Sequence, residues 1–115
     1  MILDPDYARI FTQARIVAWQ YGFACVAHGS YTRDLDLLLV PWEERANNKT
    51  AEQVIRIIAD ACDLTGKGGP ISYSDPLDFS EKPHGRRAVS LLFPGAKDRR
   101  WVDFSIMPCA AKGEE

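Results

Sequence analysis

Three aspartates and one glycine–serine step are the residues of this chain best placed to do chemistry. In His28-Gly29-Ser30-Tyr31-Thr32-Arg33-Asp34-Leu35-Asp36-Leu37-Leu38-Leu39, two carboxylates lie two residues apart on an apolar run. On a strand, that spacing points Asp34 and Asp36 the same way, with Cα atoms roughly 7 Å apart. Leu35, Leu37 and Leu39 then point to the opposite face. Two neighbouring carboxylates repel unless a cation lies between them. Hard oxygen ligands suit Mg²⁺ or Mn²⁺, and Mg²⁺ takes one or two carboxylates together with waters and substrate phosphates.

A third carboxylate follows the same logic. In Trp101-Val102-Asp103-Phe104-Ser105-Ile106 the apolar residues Val102, Phe104 and Ile106 alternate. Asp103 therefore faces away from them. If both apolar stripes meet one set of helices, Asp34, Asp36 and Asp103 share the other side of the sheet. Three carboxylates there could clamp both ends of a phosphoryl transfer through metal ions. Gly29-Ser30, directly after an apolar segment, lets backbone N–H groups and a hydroxyl approach a phosphate closely.

Cations follow further along. Lys82, Arg86 and Arg87 precede one predicted strand, and Lys97, Arg99 and Arg100 precede the next. Only Glu81 and Asp98 dilute this segment, although the whole chain carries a formal charge of −2. Such a local positive patch suits a phosphate-rich ligand. Lys82-Pro83-His84-Gly85-Arg86 reads as a loop able to close over phosphates, with His84 as a general acid or base near neutral pH.

The pattern of a strand ending in Gly29-Ser30, then Asp34-x-Asp36, then a lone Asp103 resembles the polymerase-beta-like nucleotidyltransferase superfamily, including its minimal members. The resemblance implies a mixed sheet backed by helices. It implies Gly29 and Ser30 toward a nucleoside triphosphate, with Arg33 beside them, and Asp34, Asp36 and Asp103 as catalytic metal ligands. The implied reaction is nucleotidyl transfer to a hydroxyl acceptor. The chain also resembles small proteins of tailed phages and prophages that carry similar GS-x-x-RDLDL and KPHGR blocks. Only Tyr31, Thr32 and Arg33 separate Ser30 from Asp34, a shorter connection than active members of the superfamily have. An alternative reading is therefore a catalytically inactive phage or prophage accessory protein, acting as a protein- or nucleotide-binding module. Single-stranded nucleic-acid binding through the basic loops and Trp101 stands third.

The elements that must position these residues are legible from periodicity. Asp4-Pro5 suits a helix start. Tyr7, Ile10, Phe11, Ala14, Val17, Ala18 and Tyr21 recur at helical spacing, with Gly22 as a stop. Phe23–His28 and Leu35–Val40 read as strands, and 43–49 as a polar connection. Thr50-x-x-Gln53 is a capping-box pattern opening a second helix, whose stripe is Ala51, Val54, Ile55, Ile58, Ala61 and Cys62, with Gly66 as its stop. Residues 66–88 look irregular, apart from a brief edge strand at Ile71–Tyr73. Ala88–Phe93 and Arg100–Met107 complete the set.

The expectation is an α+β domain over residues 1–109, in the order α-β-β-α-β-β, with a frayed tail at 110–115. Its small four-stranded sheet, mixed or antiparallel, would carry both helices on one face. At 115 residues, 46% apolar and 26% charged, the chain suits one ordinary globular domain and excludes collagen-like, coiled-coil and disordered classes. A pI near 5.7 argues against a whole-surface nucleic-acid binder. No apolar run approaches the ~20 residues of a membrane span, and no signal-peptide pattern opens the sequence. Cys25 and Cys62 sit among apolar residues and read as core thiols in a reducing cytoplasm. A bare face or edge of so small a sheet also leaves room for a homodimer.

Overall fold

A computed structural model describes residues 5–28, 34–66, 77–93 and 100–108, with the side chains of Pro5, His28 and Asp34 outside that description. Helix α1 spans Pro5–Gln20, and β1 (Phe23–His28) and β2 (Asp34–Pro41) follow it. Helix α2 is Ala51–Ala61; the last three strands are β3 (Ser80–Glu81), β4 (Arg87–Leu92) and β5 (Trp101–Ile106). The expected polar connection after β2 contains a short 3₁₀ turn at Glu44–Asn48.

Helix α1 buries Tyr7, Ile10, Ala14, Val17 and Ala18, the periodic stripe. It ends where expected, at Gly22, whose φ of +86° is open to glycine at little cost. A Cβ there would come within 2.7 Å of the Ala46 backbone nitrogen, so the close approach also requires glycine. The Gly22 carbonyl accepts from Trp42 N–H at 2.8 Å, which starts the pairing of β1 with β2.

Helix α2 opens on the anticipated capping box. Gln53 N–H donates to Thr50 Oγ1 at 3.1 Å, and Thr50 N–H donates to Gln53 Oε1 at 2.8 Å. The pair stabilises the helix start by about 1 kcal/mol. The helix stops at Ala61 rather than running to Gly66, because Asp63 adopts a left-handed conformation (φ 57°). That turn carries Leu64 back into the core, its N–H bonded to the Ala59 carbonyl.

Among the described residues the sheet has five strands, not the expected four, in the order β1-β2-β5-β4-β3. Pairs β1–β2 and β4–β5 are antiparallel as anticipated, and β2 runs parallel to β5 between them. The extra strand, Ser80–Glu81, pairs with β4 because the Lys82–Arg86 turn folds the chain back on itself. The edge strand expected at Ile71–Tyr73 lies outside the described residues, as do Asp4 and the tail at 110–115.

One core joins the helices to one side of the sheet. Leu35, Leu37 and Leu39 of β2, Val89 and Leu91 of β4, and Val102, Phe104 and Ile106 of β5 are buried with Ile10, Val54, Ile55 and Ile58. Their alternation with partly exposed neighbours leaves the other side of the sheet uncovered by helices among the described residues. No helix among the described residues is long and apolar enough to cross a membrane.

Candidate functional site on the open sheet face

Sheet register brings the chemistry-bearing residues of β2 and β5 together. Asp36 lies directly beside Asp103 on the parallel neighbour, and Asp103 lies directly beside Ser90 of β4. On its other side Asp36 pairs with His28 of β1. A single row across the open face therefore runs Asp36, Asp103, Ser90, with the His28 backbone in register beside Asp36. Adjacent strands are about 4.8 Å apart, so the two aspartates are backbone neighbours across the strands.

Hydrogen bonds organise this row and the next. Ser90 Oγ donates to Asp103 Oδ1 at 2.5 Å. One row over, Arg86 Nη1 donates to Ser105 Oγ at 2.7 Å. Arg86 is thereby held on the open face, one row from Asp103. The row on the other side holds Asp34 and Trp101, which are register partners. These positions are half-buried where described, which leaves them wettable but lowers the local dielectric.

Neighbouring arginines part company here. Arg86 faces the aspartate row, whereas Arg87, paired with Ile106, lies on the helix side of the sheet. Its guanidinium stacks over Phe79 at 4.2 Å and stands 3.6 Å from Glu81, with Nε enclosed and without a hydrogen bond. Arg87 is thus not brought to the carboxylates. Arg100 is also occupied structurally: it pairs with Asp6 at 2.8 Å and lies 4.0 Å over Phe93, tying the start of α1 to β5.

Lys82 and His84 sit exposed on the β3–β4 turn, closed by Lys82 N–H to the Arg86 carbonyl at 2.7 Å. His84 takes φ 65° and Gly85 φ 76° there, a conformation histidine tolerates better than most residues. Gly29, Ser30 and Arg33, expected to cradle phosphates, lie outside the described residues.

Two participants escaped sequence reasoning, Ser90 and Ser105. Each is the polar member of an apolar–polar alternation, Val89-Ser90-Leu91 and Phe104-Ser105-Ile106, and that was the available signal.

The donor chemistry fits a hard divalent cation. Asp36 and Asp103 supply two carboxylates, within the one or two that Mg²⁺ takes from protein. Among the described residues no group of three His, Cys, Asp or Glu converges, and Asp36 and Asp103 are carboxylates that the register sets on neighbouring strands. The thiols stand apart from it. Burial pushes Cys25 up to about 12, aided by the nearby Cys62, and burial pushes Cys62 up to about 11. Both therefore stay protonated and poorly nucleophilic at neutral pH. No family model, curated protein or solved structure matches this chain.

Proposed function

We propose that this chain is a nucleotidyltransferase-like domain that binds a nucleoside triphosphate with Mg²⁺ on its open sheet face. The observation that carries the reading is the direct pairing of Asp36 with Asp103 on adjacent strands, opposite the helices. Two carboxylates on neighbouring strands form a locally negative position that favours a cation. When bound, Mg²⁺ would hold phosphate oxygens in line and offset their charge.

The chain's own residues would do the rest. Asp36 and Asp103 hold the ion, joined by Asp34 from the preceding row. Ser90 fixes the rotamer of Asp103 through its hydrogen bond. Arg86, steadied by Ser105, neutralises phosphate charge. Gly29, Ser30 and Arg33 contact the triphosphate. Asp103 is the residue best suited to accept a proton from an acceptor hydroxyl.

Thermal unfolding with each nucleoside triphosphate, with and without Mg²⁺, tests this. Stabilisation of about 2.7 kcal/mol is expected at a hundredfold excess over Kd, only with metal. Asp36→Asn/Asp103→Asn should abolish it. No response to any nucleotide would sink the reading. A second reading, an inactive accessory module of the phage or prophage kind, is favoured by the three-residue step from Ser30 to Asp34. It predicts nucleotide stabilisation without turnover, or neither.

A further inference from the structure

The two edges of the sheet are built differently. The β3 edge is two exposed residues long and ends in Glu81-Lys82-Pro83, with the short length, charge and proline that discourage pairing. The β1 edge is Phe-Ala-Cys-Val-Ala-His, six residues with no proline and no Lys, Arg, Asp or Glu. Beside it, Ile16 and Trp19 of α1 are each 50% exposed, and Val26 is 46% exposed. Arg15, Ile16, Trp19, Gln20, Ala24 and Cys25 line a groove of about 560 Å³ between helix and strand. Arg15 alone among them is charged.

We propose that the β1 edge pairs with the β1 edge of a second copy of this chain, joining two sheets into one. Backbone direction sets the register. The Gly22 carbonyl points toward β2, since it accepts from Trp42, and the Leu39 carbonyl points away from β1, since it accepts from Met107. Leu39 is the register partner of Cys25. By alternation, Phe23, Cys25 and Ala27 turn their N–H and C=O groups outward, and Ala24, Val26 and His28 turn theirs toward β2.

Antiparallel pairing about a two-fold axis at Cys25 satisfies all three outward residues at once. Cys25 meets Cys25 of the second copy, and Phe23 meets Ala27 in both directions. The same register sets Ala24 beside Val26 on the open face, covering its exposed side chain. On the helix side, Ile16 and Trp19 of both copies close over the small Cys25 and Ala27 positions. A self-complementary patch of this kind is what a two-fold interface requires. Its area is modest, so dissociation in the micromolar range is expected.

Sedimentation or light scattering over roughly 1–200 µM, a span bracketing micromolar dissociation, reads the outcome directly. The wild-type mass should rise toward twice 12.9 kDa. Ala27→Pro removes an outward N–H that takes no partner among the described residues, and Trp19→Glu places a charge under the overhang. Both should stay monomeric, and Ser80→Lys at the opposite edge should dimerise like wild type. Near-UV circular dichroism checks that each variant is folded; Trp19→Glu, at an exposed site, decides if Ala27→Pro is not. A wild type monomeric throughout, or a dimer unaffected by Trp19→Glu, would overturn the proposal. The readout is mass, so it stands apart from any nucleotide result.

Discussion

The two faces of the sheet are made by the same strands and obey opposite rules. On the helix side, Leu35, Leu37, Leu39, Val89, Leu91, Val102, Phe104 and Ile106 pack into one core. On the other, Asp36, Asp103 and Ser90 share a register row, with Ser105 and Arg86 bonded one row over. The first face is organised by removal of apolar area from water, worth about 25 cal/mol per Å². The second sets two carboxylates on neighbouring strands. Stability is thus concentrated in one set of alternate residues, which leaves the other set free for chemistry.

Four measurements bear on that contrast. Phe104→Ala should break the first face, lowering the unfolding free energy by about 3–5 kcal/mol in urea titration. A loss below about 1 kcal/mol would mean that the face is not a close-packed core. Alkaline pH probes the same side. The folded-state values of Cys25 and Cys62 lie above the ordinary 9.0, so their contribution is whole below pH 9 and shrinks as pH rises toward 11–12. Between pH 8 and 10 each thiol should cost about 1 kcal/mol, and Cys25→Ala/Cys62→Ala should remove that extra slope.

The open face should respond weakly. Ser105→Ala, which unseats Arg86, should change stability by about 0.5–1 kcal/mol while lowering nucleotide affinity more than Lys82→Ala does. Smallest of all, Asp36→Asn/Asp103→Asn should leave stability within about 0.5 kcal/mol of wild type, because lost hydrogen bonding is offset by relieved repulsion. A large loss in that double variant would give the aspartates a structural role and remove the contrast between faces.

The sequence by itself determined the local elements and the side on which each residue falls. Helical periodicity from Tyr7 to Ala18, the Thr50–Gln53 cap and the period-two alternation in β2 and β5 are local properties, and they recur in the structure. Turn chemistry was less legible: Asp63, not Gly66, ends α2, because a left-handed residue is set by where Leu64 must go. Which strands become neighbours was decided only in three dimensions. The parallel contact of β2 with β5 joins segments some 65 residues apart, and it alone pairs Asp36 with Asp103. The same packing separated Arg86 from Arg87, and recruited Ser90 and Ser105 as partners. Alternation along a strand is a property of the backbone, so sequence carries it; register between strands depends on how the whole core packs, so sequence alone leaves it open.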